Sequence, residues 1–87
     1  MKFNAKKISE SADNYIFAAN LKMLRESRPH LSQRNFAQII GVNRSTYASY
    51  ENGRRLPPQW FVSLISTYFN VSIDRLVKEK INERGES

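Results

Sequence analysis

The chain has 87 residues, of which 40% are hydrophobic and 25% are charged. That length holds one domain and excludes a large catalytic scaffold, since a separate hydrophobic core generally needs about 100 residues. The absence of cysteine excludes a disulfide framework and a zinc site built on thiolates. The sequence shows neither an apolar run of membrane-spanning length nor a signal-peptide pattern, and we expect a cytoplasmic protein that does not bind membranes.

The formal net charge of +6 is concentrated in the middle of the chain. Residues 21–60 carry seven basic and two acidic side chains, whereas residues 61–87 carry four of each. A surface that binds a polyanion needs such a local excess, because neutralising phosphates gives affinity independent of sequence. Charge alone also fits a soluble surface that is basic for no specific reason.

Apolar residues recur at helical spacing along the chain, and they predict five helices and no strand. The first helix is expected to begin at Asp13, a capping residue type, and to end before Pro29, because the residue preceding a proline is pushed out of the α region. Its predicted inward face comprises Ile16, Phe17, Leu21 and Leu24. Residues 1–12 are expected to be a flexible basic tail, or alternatively an arm whose lysines reach DNA.

The second and third helices are predicted to be short, with a tight turn between them. The second begins after Ser32 and stops at Gly41, where a residue without a Cβ accepts the sharp turn. The third begins after Asn43 and closes at Asn52-Gly53. The residues expected to face inward are Phe36, Ala37, Ile40, Val42, Tyr47 and Tyr50.

Two further helices complete the predicted domain of residues 13–77. Pro57-Pro58 can start the fourth, because a proline in the first turn loses no hydrogen bond, and Ser72 can cap the fifth. Residues expected inward on the fifth are Ile73, Leu76 and Val77. The fourth helix carries more large apolar side chains than one face normally buries: Trp60, Phe61, Tyr68 and Phe69. These side chains either complete the core or, where exposed, form a dimer surface with Ile81 and the fifth helix. Residues 78–87 are expected to be a charged helix extension or tail.

The third helix has an outer face unlike that of a purely structural corner. Its predicted exposed residues are an arginine, two hydroxyls and a methyl group: Arg44, Ser45, Ala48 and Ser49. A tight corner in any helical bundle would explain Ala37, Gly41 and Val42 equally well. It would not explain a polar outer face, which favours a binding surface.

Several motifs follow one another in a specific order. They are L-x-x-L-R at 21–25, L-S-Q at 31–33, F-A-x-x-x-G-V at 36–42, Y-E-N-G at 50–53, Pro57, and V-S-x-D-x-L at 71–76. Through these motifs the chain resembles the lambda/434-repressor or Cro-like helix-turn-helix proteins, the XRE family, over roughly residues 16–77. The resemblance implies a compact five-helix, all-α domain whose recognition helix, 43–52, enters the major groove while the preceding helix lies across the DNA backbone.

The same resemblance assigns roles to individual residues. The base-reading positions are Arg44, Ser45, Ala48 and Ser49, of which Arg44 could either form a bidentate pair with guanine or be diverted to a phosphate. The positions implied to contact the DNA backbone are Gln33, Asn43, Asn52, Arg54 and Arg55.

Arg25 and Glu51 match a family pair that holds the recognition helix in place. Two departures from the family pattern concern this pair. The connection 26–30 is one residue longer than usual and contains Pro29, so Arg25 could be displaced from Glu51. Tyr47 replaces the usual aliphatic residue, a change that is tolerable if its hydroxyl reaches solvent or a phosphate. The side chain of His30 in the longer loop is expected to be solvated.

Catalysis has no support in the sequence, which offers no nucleophile–base cluster, no metal-ligand cluster and no glycine-rich phosphate loop. We therefore expect a protein without enzymatic activity, cofactor or metal. It is predicted to be a sequence-specific transcriptional regulator, acting as a repressor, that binds double-stranded DNA as a homodimer. One alternative is an antitoxin that represses its own operon and also binds a toxin. Another is a protein-binding adaptor of the same fold, against which Gln33, Asn52 and the basic central segment argue.

Overall fold

Five α-helices joined by short loops make up the described part of the chain. The structure is a computed structural model that describes residues 5–81, with side chains described from residue 15 onward. The helices are α1 (Ala5–Glu26), α2 (Gln33–Ile40), α3 (Arg44–Glu51), α4 (Gln59–Phe69) and α5 (Ile73–Lys78). Helix α1 packs mainly against α5 and α3, α2 packs against α3, and α4 packs against α5. Residues 5–81 contain no strand, and the predicted five-helix, all-α fold is confirmed.

Helix α1 is longer than the sequence pattern predicted. It begins at Ala5, so the start predicted at Asp13 is wrong, and residues 5–12, expected to be a flexible tail, are helical. That segment contains neither proline nor glycine, so nothing in it stops a helix that has formed further along. Residues 1–4 and 82–87 lie outside the described residues. So do the side chains of Lys2, Lys6 and Lys7, which the alternative interpretation placed in a basic arm.

The other helix boundaries follow local chemistry that the sequence displays. The side chains of Ser32, Asn43 and Ser72 each accept a hydrogen bond of 2.8–3.1 Å from a backbone N–H two or three residues further on. Helix α4 begins directly after Pro58, which lies in extended backbone. These caps satisfy N–H groups that the first turn of a helix leaves unpaired. The predicted starts of α2, α3, α4 and α5 are therefore confirmed.

Aromatic and aliphatic side chains from all five helices form one core. The Phe36 ring meets that of Tyr47 edge-on, with centroids 5.5 Å apart, and the Phe61 ring packs on that of Tyr50 at 4.6 Å. Such tilted contacts are favourable for aromatic pairs beyond the area that they bury. The core residues are Phe17, Leu21, Phe36, Ala37, Tyr47, Tyr50, Phe61, Ile65, Phe69 and Leu76.

Burial separates the apolar residues of α4 into two groups. Phe61 and Phe69 belong to the core, so for these two the alternative of completing the core is confirmed. Trp60 and Tyr68 are 54% and 38% exposed. Ile73, predicted to face inward, is 41% exposed, because α5 has only six residues and directs Leu76 into the core.

Asn20 is a polar residue buried within the apolar stripe of α1. Its Nδ2 donates to the backbone carbonyls of Leu76, at 2.9 Å, and Glu79, at 2.7 Å. Its Oδ1 accepts from the backbone N–H of Ile81 at 2.9 Å. The last carbonyls of a helix lack intrahelical partners, so Asn20 supplies the hydrogen bonds that the end of α5 requires. The contacts also hold residues 79–81, predicted to belong to a charged extension or tail, against α1.

Candidate nucleic-acid interface

A glycine turn fixes how α3 follows α2. Gly41 has a φ of 79°, in the left-handed region that favours glycine, and the Val42 N–H donates to the Ala37 carbonyl at 3.0 Å. A Cβ built on Gly41 would meet no atom within 4 Å, so the requirement for glycine comes from backbone conformation and not from space. Ala37 is fully buried where the two helices approach each other, as its small side chain predicted.

Helix α3 exposes the four residues that the resemblance assigned to base reading. Arg44 and Ser45 are exposed, and Ala48 and Ser49 are half-buried on the same side of the helix. The Ser49 hydroxyl donates to the carbonyl of Thr46 at 2.7 Å, while that of Ser45 donates to the side chain of the cap residue at 2.6 Å. Each hydroxyl therefore donates its only proton to an oxygen of the protein, and toward a ligand it can act only as a hydrogen-bond acceptor.

The loop after α3 folds back on the end of that helix. The backbone N–H groups of Arg54 and Arg55 both donate to the carbonyl of Ser49, at 3.0 and 3.2 Å. Gly53 permits this path with a φ of 77°. Asn52 and both arginine side chains are exposed. The structure thus places the backbone of two exposed arginines next to the end of α3.

The buried side of α3 is held by an ion pair with α1. The Nε of Arg25 donates to Glu51 Oε2 at 2.9 Å, and its Nη2 donates to Oε1 at 3.1 Å. The Nη1 of the same guanidinium donates to the Leu31 carbonyl at 2.8 Å, so Arg25 also fixes the end of the α1–α2 loop. The longer connection has therefore not displaced Arg25 from Glu51.

The α1–α2 loop accommodates its extra length by a left-handed turn. His30 has a φ of 65°, a conformation that histidine adopts more readily than most residues, and its side chain is exposed. The guanidinium of Arg28 lies 5.0 Å from the centroid of the Phe69 ring, within the range of a cation–π contact. The left-handed turn at His30 and the Arg28 contact both lie within the loop that joins α1 to α2.

Two further side chains complete the surroundings of Glu51. The Tyr47 hydroxyl donates to Glu51 Oε2 at 2.6 Å, and the Gln33 Nε2 donates to Oε1 at 2.9 Å. Tyr47 is fully buried, so the condition that its hydroxyl reaches solvent or a phosphate is not met, and the hydroxyl binds the Glu51 carboxylate instead. One signal for the bond between Tyr47 and Glu51 was present in the sequence, because residues four apart lie on the same side of a helix. That signal points to a bond only if this side of α3 also faces a cation that keeps Glu51 ionised. Each carboxylate oxygen thus accepts two hydrogen bonds.

The hydrogen bonds decide the charge states of this cluster. Burial by itself raises the pKa of Glu51, but the bonds from Arg25, Tyr47 and Gln33 outweigh burial and hold its pKa below the ordinary value. The hydrogen bond to Glu51 raises the pKa of Arg25 despite its burial. Burial, and then the bond to Glu51, raise the pKa of Tyr47. At neutral pH the cluster therefore contains a carboxylate, a guanidinium and a neutral phenol.

The described residues contain neither a cluster of metal-ligand side chains nor a membrane-spanning helix. No three histidine, aspartate or glutamate side chains among them come together as a metal site would require. No helix in residues 5–81 combines the length and the apolar character needed to cross a bilayer.

The chain was also compared with known proteins. A family model described as helix-turn-helix matches residues 21–76. Over 69 residues the chain is 38% identical to the uncharacterized HTH-type transcriptional regulator YqaE of Bacillus subtilis, covering 79% of this chain and 59% of the relative. It is 33% identical over 64 residues to the cryptic phage CTXphi transcriptional repressor RstR of Vibrio cholerae, covering 74% of this chain and 57% of the relative.

A third relative carries a different description. Over 60 residues the chain is 37% identical to the antitoxin PezA of Streptococcus pneumoniae, covering 69% of this chain and 37% of that protein. The chain therefore spans between about a third and three fifths of the length of these three relatives. No solved structure shows a significant match.

Proposed function

The chain belongs to the helix-turn-helix family, and from this premise we propose that it is a transcriptional regulator that binds specific double-stranded DNA sequences in the cytoplasm, acting as a repressor. One observation carries the proposal. Helix α3 presents a polar outer face, while a buried ion pair fixes its inner face to α1. A helix that reads base edges in the major groove needs both an accessible face and a fixed orientation.

Direct reading of bases is assigned to the outer face of α3. Arg44 is exposed and makes no ion pair within residues 15–81, so its guanidinium is available to the O6 and N7 atoms of guanine. Ser45 and Ser49 offer acceptor lone pairs to base amino groups, and the methyl group of Ala48 suits a thymine methyl. Arg44 therefore supplies most of the sequence discrimination in this proposal.

The remaining polar residues would bind the DNA backbone. They flank α3 on both sides and comprise Gln33, Asn43, Asn52, Arg54 and Arg55. The exposed guanidinium groups of Arg54 and Arg55 are suited to phosphates, whose neutralisation gives affinity without sequence preference. These contacts would set the register of α3 in the groove.

Binding as a homodimer is part of the proposal. Related domains bind two half-sites separated by one helical turn, about 34–36 Å, because one recognition helix gives modest affinity. The exposed apolar residues of the last two helices, Trp60, Tyr68 and Ile73, remain candidates for the dimer surface. A second role as an antitoxin is favoured only by the similarity to PezA. In that role the chain would still bind DNA and would also bind a protein partner.

Selection from a randomised double-stranded DNA pool tests the proposal, with binding measured at two salt concentrations. We expect enrichment of a palindromic motif with half-sites about ten base pairs apart. Gln33→Ala should weaken binding to all sequences alike, because a phosphate contact carries no base information. Salt-sensitive binding without any enriched motif would contradict sequence-specific regulation by this chain alone and favour an adaptor of the same fold or an antitoxin that requires its partner.

A further inference from the structure

Gln33 connects the buried cluster around Glu51 to the protein surface. Of the four side chains in that cluster, Arg25, Tyr47 and Glu51 are buried, whereas Gln33 is partly exposed at the first position of α2. The Gln33 amide donates to Glu51 Oε1, the oxygen that also accepts from the Nη2 of Arg25. Any change in the position of the carboxylate is therefore transmitted to a residue at the surface.

The charge of Glu51 determines which end of the Gln33 amide faces it. An ionised carboxylate only accepts hydrogen bonds, so the amide must direct its NH₂ group inward. That nitrogen carries two hydrogens, and the bond to Glu51 uses one of them. An amide without this constraint could rotate by half a turn and present its carbonyl oxygen in place of the second N–H. A carbonyl oxygen would repel a phosphate, whereas an N–H group binds one.

Tyr47 restrains Glu51 from within α3. Its hydroxyl bond to Oε2, at 2.6 Å, is a short charge-assisted hydrogen bond. Arg25 holds both carboxylate oxygens from α1, and Tyr47 adds a donor that moves together with the recognition helix. Without this donor, Oε2 would keep only its bond from Arg25, and the carboxylate would lose a restraint against small rotations within the Arg25 pair, which would loosen the Oε1 bond to Gln33.

We propose that Tyr47 is a positioning residue for binding of the DNA backbone. Its hydroxyl holds Glu51, Glu51 fixes the orientation of the Gln33 amide, and Gln33 presents its second N–H to a phosphodiester oxygen. This inference rests on the proposed function, and it couples the fixed inner face of α3 to the phosphate contact of α2.

A double-mutant cycle tests the coupling. Dissociation constants for one selected DNA duplex and one unrelated duplex are measured for the unaltered chain, Tyr47→Phe, Gln33→Ala and the double variant. We expect Tyr47→Phe to weaken binding to both duplexes by about three- to tenfold when Gln33 is present, and by less than about twofold when it is absent. Tyr50→Phe is the matched control, since Tyr50 is also a buried tyrosine of α3 but packs on Phe61 and is not a donor to Glu51.

A second measurement does not depend on DNA. In the free protein, Tyr47→Phe should shift the side-chain amide resonances of Gln33 toward those of an unconstrained glutamine, and Tyr50→Phe should leave them unchanged. Circular dichroism and thermal melting establish that each variant is folded.

The possible outcomes separate this inference from the function on which it rests. Additive losses from Tyr47→Phe and Gln33→Ala, or unchanged Gln33 resonances in Tyr47→Phe, would overturn the positioning role and leave DNA binding intact. Unchanged affinity of Gln33→Ala for both duplexes would likewise overturn the positioning role and leave DNA binding intact. Failure of the unaltered chain to bind any duplex would overturn the proposed function and this inference together.

Discussion

Among the described side chains of α1, from residue 15 onward, polar groups enter the interior at two places, and these two junctions use different chemistry. Near its end, Arg25 meets Glu51 of α3 in a cluster of charged and polar groups. Five residues earlier, Asn20 meets the last carbonyls of α5 and the N–H of Ile81 with one neutral amide. Both junctions join segments that are distant in the sequence, and both supply hydrogen-bond partners to otherwise unsatisfied groups.

The difference between the two junctions matches what each one holds. A neutral amide suits a helix end, where carbonyl and N–H groups lie close together and need one partner each. A buried ion pair demands several donors with fixed geometry, because an incompletely paired charge is costly inside a protein. The charged junction lies directly behind the proposed DNA-reading face of α3. The junction with the more strictly defined geometry, Arg25 with Glu51, is therefore the one that fixes the orientation of α3 for the proposed recognition of DNA.

The largest expected effect comes from breaking the charged junction. Glu51→Ala would leave the Arg25 guanidinium buried without its carboxylate, and we expect the free energy of unfolding to fall by about 3–5 kcal/mol. Denaturant unfolding followed by circular dichroism measures the change. Glu26→Ala is the control, since Glu26 lies 3.7 Å from the same guanidinium but is exposed. A similar loss in both variants would show that burial of the pair is not the cause.

Breaking the neutral junction should cost less. Asn20→Ala removes three hydrogen bonds but leaves no buried charge, and we expect a loss of about 2–3 kcal/mol in the free energy of unfolding. Faster amide hydrogen exchange at Ile81 should accompany it, because that N–H loses its acceptor. Asn35→Ala, which removes an exposed amide bond to the His30 carbonyl, is the matched control. Unchanged exchange at Ile81 would contradict the proposed effect on the chain after α5.

Acid should distinguish the two junctions. The folded-state pKa of Glu51 lies below its ordinary value of 4.5, so the stabilisation from its ionised form is present above that pH and is lost as the pH falls through the folded-state pKa. Unfolding measured from pH 6 downward should therefore show a weaker pH dependence in Glu51→Gln than in the unaltered chain. Asn20→Ala should keep the original pH dependence, because no titrating group is removed. Parallel curves for all three proteins would refute the depressed pKa.

The smallest effect on stability is expected on the outer face of α3. Arg44→Ala should change the free energy of unfolding by less than about 0.5 kcal/mol, because the side chain is exposed. The same change should reduce discrimination at one base pair of each half-site by about 1–3 kcal/mol. Selection of DNA with the variant and with Arg54→Ala as control measures this effect. Unchanged base preference would assign Arg44 to a phosphate.

The charged junction was predictable from motifs, whereas the neutral one was not. The family resemblance carried by L-x-x-L-R and Y-E-N-G implied that Arg25 and Glu51 form a pair. Asn20 gave a weaker signal, since it lies on the apolar stripe of α1 three residues after Phe17, a position where a polar residue needs a partner. The sequence could not identify that partner, because the groups that Asn20 contacts lie 56–61 residues away.

Local chemistry in the sequence determined the starts of four helices, the turn at Gly41 and the apolar faces that form most of the core. Helix caps, prolines and a glycine with positive φ each act over a few residues, so they can be recognised in the sequence from residue type and position. Tertiary structure alone decided that the Tyr47 hydroxyl and the Gln33 amide both bind Glu51, and that Phe61 and Phe69 are buried while Trp60 is exposed. These outcomes depend on the relative placement of helices, which determines the partners of a side chain that points inward.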